Sequence, residues 1–336
     1  MRGLSTKWRQ TARRVLPVCV LVSGVLATGL TAAILPLSYQ RRAPDIDGDG
    51  IPDPMIWRVP SSTLVTVPTF YAPTSRSNFT ITQKFTLGQI GDYPVPADYD
   101  NDGITDIAVY RPYFVNTWSI LTSSSNFTSL ATYQWGLDDI PVPGDYDGDG
   151  KTDIAVFRPS DGGWYVLQNG AGFTSAFVVR WGGPTSTPVP GDYDGDGRLD
   201  VAVYEPSEFT WYILQGGNNF RSAFSRRFGA TNITPVPGDY DGDGATDLGT
   251  YDPGTSTFSW LLRAGNYTNS FSKQWGIPGD IPVPGDFDGD RKMDIAVFRP
   301  STGTYYVLKG PGFTVGFTRL SGVGGTGTDT PVMAAR

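Results

Sequence analysis

Four aspartates lie at positions one, three, five and nine of the segment Asp145-Tyr-Asp-Gly-Asp-Gly-Lys-Thr-Asp153. Four carboxylates this close repel one another unless a cation lies among them. Oxygen ligands on a backbone bent by Gly148 and Gly150 suit Ca²⁺, which takes six to eight oxygens. The backbone carbonyl at position seven, Lys151, is expected to be a further ligand. The segment is therefore a candidate calcium-binding loop.

The same loop occurs six times, and its last five copies start 47 residues apart, whereas the first gap is 53 residues. A regular period of this length predicts a repeat architecture. Chance acidic loops would not place four aspartates identically six times. The candidate ligands at positions one, three, five, seven and nine are Asp45, Asp47, Asp49, Ile51, Asp53; Asp98, Asp100, Asp102, Ile104, Asp106; Asp145, Asp147, Asp149, Lys151, Asp153; Asp192, Asp194, Asp196, Arg198, Asp200; Asp239, Asp241, Asp243, Ala245, Asp247; and Asp286, Asp288, Asp290, Lys292, Asp294.

The sixth loop differs at position six, where Arg291 replaces the glycine of the other five loops. A left-handed backbone at this position costs a long side chain roughly 1 kcal/mol or more. Arg291 also brings a positive charge near the ion. We therefore expect up to six structural, non-catalytic Ca²⁺ ions, one per repeat, with the weakest binding at the sixth loop.

Short apolar segments flank each loop. In the third repeat, residues 140–143 precede the loop, and apolar segments at 154–157, 164–167 and 173–181 follow it, separated by Gly-rich turns. Four short antiparallel strands per 47 residues, with no helical stretch, predict an all-β fold. We expect a six-bladed β-propeller with four strands in each blade.

The two ends of the chain complement each other. The first repeat lacks the Pro-Val-Pro segment that precedes the later loops. Residues 329–333, Asp-Thr-Pro-Val-Met, copy the start of a repeat as it occurs at 280–284. The C-terminal strand is therefore expected to complete the first blade and close the ring.

Aromatic residues recur at equivalent places in the repeats. They could be platforms for sugar rings or packing between neighbouring sheets. We favour packing, because the positions occur in every unit and aromatic side chains contribute most to apolar burial. The two main series are Tyr110, Phe157, Tyr204, Tyr251 and Phe298, and Trp118, Trp164, Trp211, Phe258 and Tyr305.

Composition excludes several classes of function. The chain has no histidine, and its single cysteine is Cys19, which excludes Ser-His and Cys-His nucleophiles and histidine-based zinc sites. From Asp45 onward there are 19 basic and 33 acidic residues, a net charge of −14, and the six loops supply 24 of the acids. Six Ca²⁺ ions would bring this to about −2. The acidity is thus ligand supply, and nucleic acid is not an expected partner.

The N-terminus has the pattern of an export signal or a membrane anchor. Residues 1–14 carry five basic residues, and residues 15–37 then run without a charge. Both alternatives place the repeats outside the cytoplasm, with membrane contact only through this segment. We expect a signal or anchor at 1–38, a short linker at 39–44 and the propeller at 45–336.

Four-stranded units with one acidic loop each resemble the FG-GAP or VCBS repeats of integrin-alpha-like β-propellers, over residues 45 to about 333. The resemblance rests on the Asp-x-Asp-x-Asp-Gly-x-x-Asp loop and on aromatic-Gly pairs such as Trp135-Gly136. It implies that the loop joins the first and second strands of a blade and binds Ca²⁺. The Gly-Ala-Pro half of the family's motif is absent, and the 47-residue period implies compact blades.

The favoured function is that of an exported, monomeric, non-catalytic binding or adhesion module whose ligand is a glycan or a protein. The alternative is a propeller-type polysaccharide lyase or hydrolase, and a third is a purely structural surface repeat. An enzyme would need acid–base residues outside the repeat pattern. Glu205 and Glu208 are the only glutamates, and Glu205 occupies the place of Arg158 in the repeat.

Overall fold

The computed structural model describes residues 13–14, 41–42, 44–59, 67–113, 115–321, 325 and 329–335. They form six four-stranded antiparallel blades arranged in a ring, so the prediction of a six-bladed all-β propeller is confirmed. Among these residues, three short 3₁₀ turns lie between the third and fourth strands of blades 1, 2 and 5, at Ser75–Ser77, Ser123–Ser125 and Arg263–Gly265. Apart from Arg13–Arg14, the expected signal or anchor at 1–38 lies outside the described residues. Among the residues described, no helix has the length and apolar character needed to span a bilayer.

Each blade pairs its strands in the order first, second, third, fourth. Blade 1 contains Thr330–Val332, Met55–Arg58, Thr69–Pro73 and Thr82–Thr86; blade 2 contains Tyr93–Pro94, Ile107–Arg111, Thr117–Leu121 and Leu130–Gln134; blade 3 contains Ile140–Pro141, Ile154–Arg158, Gly163–Gln168 and Ser175–Arg180. Blade 4 contains Thr187–Pro188, Val201–Glu205, Thr210–Leu214 and Ala223–Arg227; blade 5 contains Thr234–Pro235, Leu248–Asp252, Thr257–Leu262 and Asn269–Gln274; blade 6 contains Ile281–Pro282, Ile295–Arg299, Thr304–Leu308 and Gly316–Leu320. Arg13–Arg14 pairs with the fourth strand of blade 3.

The first and fourth strands of blade 3 are shorter than the sequence pattern suggests. The first strand has only two residues, Ile140–Pro141, because its prolines donate no backbone hydrogen bond. The fourth strand begins at Ser175 instead of residue 173, because Phe173 has a left-handed φ of 58° and belongs to the preceding turn.

The second strand of each blade is buried on both faces. In blade 3, Ala155 and Phe157 pack toward blade 4, while Ile154 and Val156 pack toward blade 2. Six such apolar clusters each join two neighbouring blades, and together they close the ring. Trp118, Trp164, Trp211, Phe258 and Tyr305 are all 0% exposed. These aromatics are therefore packing residues, as expected.

The aromatic-Gly pairs also fasten neighbouring blades. Three indole N–H groups donate to backbone carbonyls in the third strand of the next blade, at 3.0, 2.9 and 2.9 Å. The donor and acceptor pairs are Trp135 with Tyr165, Trp181 with Tyr212, and Trp275 with Tyr306. Buried indole groups need such partners, so these bonds fix how each blade lies against the next.

The C-terminal strand closes the ring. Thr330–Val332 pairs with Met55–Arg58 and places Pro331 opposite Ile56. The guanidinium of Arg58 makes a bidentate ion pair with the buried carboxylate of Asp329, at 2.6 and 2.8 Å. Beyond this strand, Ala334–Ala335 pairs with Arg41–Arg42 and brings the two ends of the repeat region together. The predicted closure is confirmed.

Candidate metal centres

The backbone of the third loop wraps around the carboxylate at position one. The loop joins the first and second strands of the blade, as the family resemblance implies. Asp145 Oδ1 accepts the N–H of Gly148 at 2.6 Å, and Oδ2 accepts the N–H of Gly150 at 2.8 Å. Both glycines have left-handed backbones, with φ of 77° and 84°, which turn their N–H groups inward. Asp145 therefore organises the loop in addition to being a candidate ligand.

The carboxylate at position nine is fully buried and anchors the loop to the rest of its blade. Asp153 Oδ2 accepts the N–H of Tyr146 at 3.0 Å, and Oδ1 accepts the N–H of Asn169, in the turn between the third and fourth strands, at 2.8 Å. Desolvation by burial is the main cause that raises the pKa of Asp153 to about 7. Asp145 and Asp147 raise this pKa further, whereas the two N–H donors oppose the rise.

The same arrangement occurs in all six loops, and every position-nine aspartate is 0% exposed. Each accepts one N–H from position two of its own loop and another from the turn between the third and fourth strands. Burial raises the pKa to about 6 for Asp106, to about 7 for Asp53, Asp153, Asp247 and Asp294, and to about 8 for Asp200.

Carboxylate oxygens converge within each of the first five loops. In the first four loops, oxygens from positions one, three and nine lie within 4.8 Å of one another, as for Asp145, Asp147 and Asp153. In the fifth loop the group comprises positions one, three and five. The position-five aspartates use one oxygen to accept the N–H of position seven, at 2.8–3.0 Å. The structure thus brings together most of the candidate side-chain ligands.

The position-three aspartates provide the test of whether a cation fits. Asp47, Asp100 and Asp194 each have an Oδ1 that is buried and has no hydrogen-bond partner among the described residues. A buried carboxylate oxygen without a partner is costly. A cation among oxygens from positions one, three and nine would supply that partner. An all-oxygen set without histidine or cysteine suits a hard cation.

Neighbouring loops contact each other around the ring. The backbone N–H at position eight of one loop donates to the backbone carbonyl at position one of the loop before it. Among the described residues this bond occurs at four of the six junctions between loops, with N to O distances of 2.7–2.8 Å. In loops two, four and six, the position-seven side chains Ile104, Arg198 and Lys292 lie over the position-four glycine of the preceding loop. A side chain at those glycines would come within 3.0 Å of these neighbours. Position four is therefore constrained by the adjacent blade as well as by its own backbone.

The tyrosine at position two was not among the candidate residues from sequence. In loops two to five its hydroxyl donates to a valine carbonyl in the segment after the first strand, as from Tyr146 to Val142 at 2.8 Å. Because prolines flank that valine and donate no backbone hydrogen bond, few backbone hydrogen bonds hold the segment. The tyrosine hydroxyl adds a side-chain hydrogen bond to it. The recurrence of Asp-Tyr-Asp in four loops was the available signal.

The sequence matches a known family over part of its length. Residues 145–203 and 192–250 match the FG-GAP-like repeat. These segments contain the third, fourth and fifth loops and the strands between them, and they end within the second strand of blade 5. The protein is a β-propeller that contains FG-GAP-like repeats at residues 145–250. Four-stranded blades, each with the same loop, also occur outside the matched segments, in blades 1, 2 and 6.

Solved structures resemble this chain at low sequence identity. A lectin from Agrocybe aegerita, described as specifically recognising non-reducing terminal N-acetylglucosamine, is 14% identical, with 88% of this chain and 84% of that chain covered and a TM-score of 0.56. BBS1N, in a complex with ARL6DN soaked with lead, is 10% identical, with 90% and 92% covered and a TM-score of 0.48. No curated protein matches the sequence of this chain significantly.

Proposed function

We propose that the protein is an exported, non-catalytic binding module whose propeller is stabilised by Ca²⁺ and presents a site for a glycan. The observation that carries the calcium part is the buried Oδ1 of Asp47, Asp100 and Asp194, which lies among other carboxylates and has no hydrogen-bond partner among the described residues. Export is supported by the basic N-terminus followed by an uncharged run. Extracellular calcium is abundant enough to fill weak sites.

The expected contribution of the ions is comparable to the whole stability of a domain. Extracellular calcium modules bind with dissociation constants of about 10⁻⁴–10⁻³ M. At ten times that constant, one site stabilises the fold by roughly 1.4 kcal/mol through mass action. Six independent sites would contribute roughly 8 kcal/mol, against a typical total of about 5–15 kcal/mol. The ions therefore have a structural role in this proposal.

Thermal unfolding in Ca²⁺, in Mg²⁺ and in chelator tests the calcium proposal. We expect Ca²⁺ to raise the melting temperature by many degrees and Mg²⁺ to do so less, because Mg²⁺ requires a tight octahedron. Asp147→Ala should remove about one loop's share of the calcium effect. Asp252→Ala, at a half-buried carboxylate outside the loops, is the matched control and should leave the calcium effect intact. Superimposed curves in Ca²⁺ and chelator would show that the loops are not calcium sites of consequence.

The hairpin between the second and third strands of blade 2 is the best candidate for ligand contact. It has five residues between Pro112 and Trp118, whereas the hairpins of blades 3–6 have four. Tyr113 is 52% exposed, has a left-handed φ of 74°, and donates its N–H to the carboxylate of Asp138. A feature required by the fold should recur in every blade, and this one does not. A strained, exposed residue of this kind is typical of a functional site.

The chemistry of this hairpin favours a glycan over a protein. An aromatic face beside a carboxylate can stack on a sugar ring and accept hydrogen bonds from its hydroxyl groups. The similarity in fold to a lectin supports the same ligand class. A glycan array should show ligands that bind the parent but not Tyr113→Ser. Leu320→Ser, at a side chain that is 66% exposed in blade 6, is the control and should keep binding. If the parent binds no glycan, the glycan part of the proposal is wrong.

The contacts of Glu205 favour a binding module over the enzyme alternative. Glu205 is 8% exposed, and its carboxylate accepts hydrogen bonds from Thr185 at 3.0 Å and from Ser186 at 3.1 Å. This set replaces the ion pair of Arg158 with Asp139 in blade 3. Glu205 thus has a local structural role that explains its presence without catalysis. Cleavage of acidic or neutral polysaccharides that is lost in Glu205→Gln would overturn this conclusion.

A further inference from the structure

The sixth loop has a lysine paired with its position-three aspartate. The ammonium group of Lys309 lies 3.0 Å from Asp288 Oδ2 and 5.5 Å from the centre of the Phe317 ring. Asp288 is the position-three aspartate, which in loops one, two and four has a buried oxygen without a partner. The lysine therefore faces the carboxylate that elsewhere is the main sign of a missing cation.

Two other blades have a glutamine, which is neutral, at the position of Lys309. Gln168 and Gln215 precede Lys309 by three and two periods of 47 residues. Gln168 Nε2 donates to Asp147 Oδ2 at 2.6 Å, and Gln215 Nε2 donates to Asp194 Oδ2 at 2.8 Å. The amide holds the position-three carboxylate without neutralising it. In blade 4 the other oxygen of this carboxylate still has no partner among the described residues.

The charge balance of the sixth loop differs in the same direction. The position-seven side chain is left out of the sums, because in the sixth loop it lies over Gly242 of the fifth loop. The third loop then has four aspartates and neutral Gln168, a sum of −4, whereas the sixth loop has four aspartates with Arg291 and Lys309, a sum of −2. A unit positive charge a few ångströms from a divalent ion opposes its binding even at the dielectric constant of water.

We propose that Lys309 replaces the divalent cation in the sixth loop, so that the chain binds five Ca²⁺ ions and the sixth loop is ordered without one. This inference rests on the proposed calcium function. The sixth loop, which would be ordered without an ion, lies in the blade next to blade 1, where the C-terminal strand closes the ring. At that junction position eight of the first loop is Pro52, which cannot donate to the sixth loop the backbone bond found at four other junctions.

A reciprocal exchange tests the inference. Calcium stoichiometry is measured by equilibrium dialysis with metal analysis on the parent, Lys309→Gln and Gln168→Lys, with Ca²⁺ alone as the probe. We expect five ions for the parent, six for Lys309→Gln and four for Gln168→Lys. Calcium affinity should rise at least tenfold at the sixth loop in Lys309→Gln and fall at least tenfold at the third loop in Gln168→Lys. Six equivalent sites in the parent, or an unchanged stoichiometry in Lys309→Gln, would overturn the inference while leaving the calcium function intact. A parent that binds no Ca²⁺ would refute the calcium function itself.

Amide hydrogen exchange separates the charge of Lys309 from its packing on Phe317. In chelator, the Lys292 amide of the parent should stay protected while the equivalent Lys151 amide in the third loop exchanges faster. Lys309→Met keeps an apolar stem on the ring but removes the charge. It should lose protection of Lys292 in chelator and regain it in Ca²⁺. Protection that persists in Lys309→Met with chelator would show that the charge does not order the loop.

Discussion

Removing the ions should make the protein less stable at pH 8 than at pH 5. The six position-nine aspartates are buried, and desolvation raises their pKa values to between about 6 and about 8 in the ion-free fold. In the unfolded chain an aspartate has a pKa of about 3.9. Between these values the folded state binds more protons than the unfolded state. Its stability therefore falls as pH rises from about 4 to about 8.

The size of this effect follows from the pKa shifts. Between pH 5 and pH 8 about two units of this rise apply, which correspond to about 3 kcal/mol per carboxylate. The full sum over six groups, about 18 kcal/mol, would exceed the typical stability of about 5–15 kcal/mol. Even a quarter of the sum, about 4.5 kcal/mol, would lower the melting temperature by about 9–18 °C at about 2–4 °C per kcal/mol. Calcium reverses the sign, because it binds the ionised carboxylates, and its stabilisation should be largest at pH 8 and small at pH 5.

The assay is calorimetric or circular dichroism melting of resin-stripped protein at pH 5 and pH 8, with and without Ca²⁺. The chain's pI of about 4.7 means that general charge repulsion is also smaller at pH 5. Measurements in 1 M NaCl remove this contribution, because the Debye length is then about 3 Å, while burial of the carboxyls is unaffected. Asp153→Asn is the internal check. Because it removes one of the six buried carboxylates, it should reduce the loss of stability between pH 5 and pH 8 by about one sixth. Ion-free protein that melts no lower at pH 8 than at pH 5 in high salt would refute the reasoning.

Three further changes test other parts of the structure. Arg291→Gly should raise stability by about 1 kcal/mol even in chelator, because Arg291 has a left-handed φ of 69°; in the Lys309→Gln background, where the sixth loop takes an ion, it should also tighten calcium binding at that loop, and unchanged melting and binding would count against both. Deleting residues 329–336 should lower the melting temperature far more than Asp329→Asn does, because it removes the buried closing strand as well as the Arg58 ion pair; equal effects would argue for an open array. Trp181→Phe should cost about 1–3 kcal/mol in denaturant unfolding, because it leaves the Tyr212 carbonyl without its indole donor, and an effect near zero would mean that this bond does not fasten the blades.

Much of the architecture could be predicted because its signals are local or periodic. The spacing of aspartates within nine residues indicated an oxygen-ligand loop, and the 47-residue period indicated one blade per repeat. The Pro-Val segment near the C-terminus predicted the closing strand, since it copied the start of a repeat. Recurrence in every unit correctly favoured packing roles for the aromatic series. These inferences needed no knowledge of which distant residues touch.

The tertiary structure decided the features that depend on contacts between elements or between blades. Asp153 is buried because Asn169, 16 residues away, covers it and donates to it. The position-four glycine of one loop is constrained by a side chain of the next loop. Lys309 and Asp288 are far apart in sequence, and only the pairing of strands in blade 6 brings them to 3.0 Å. Spacing along the chain specifies which residue types recur, whereas burial, pKa and charge compensation depend on what the folded neighbours place beside them.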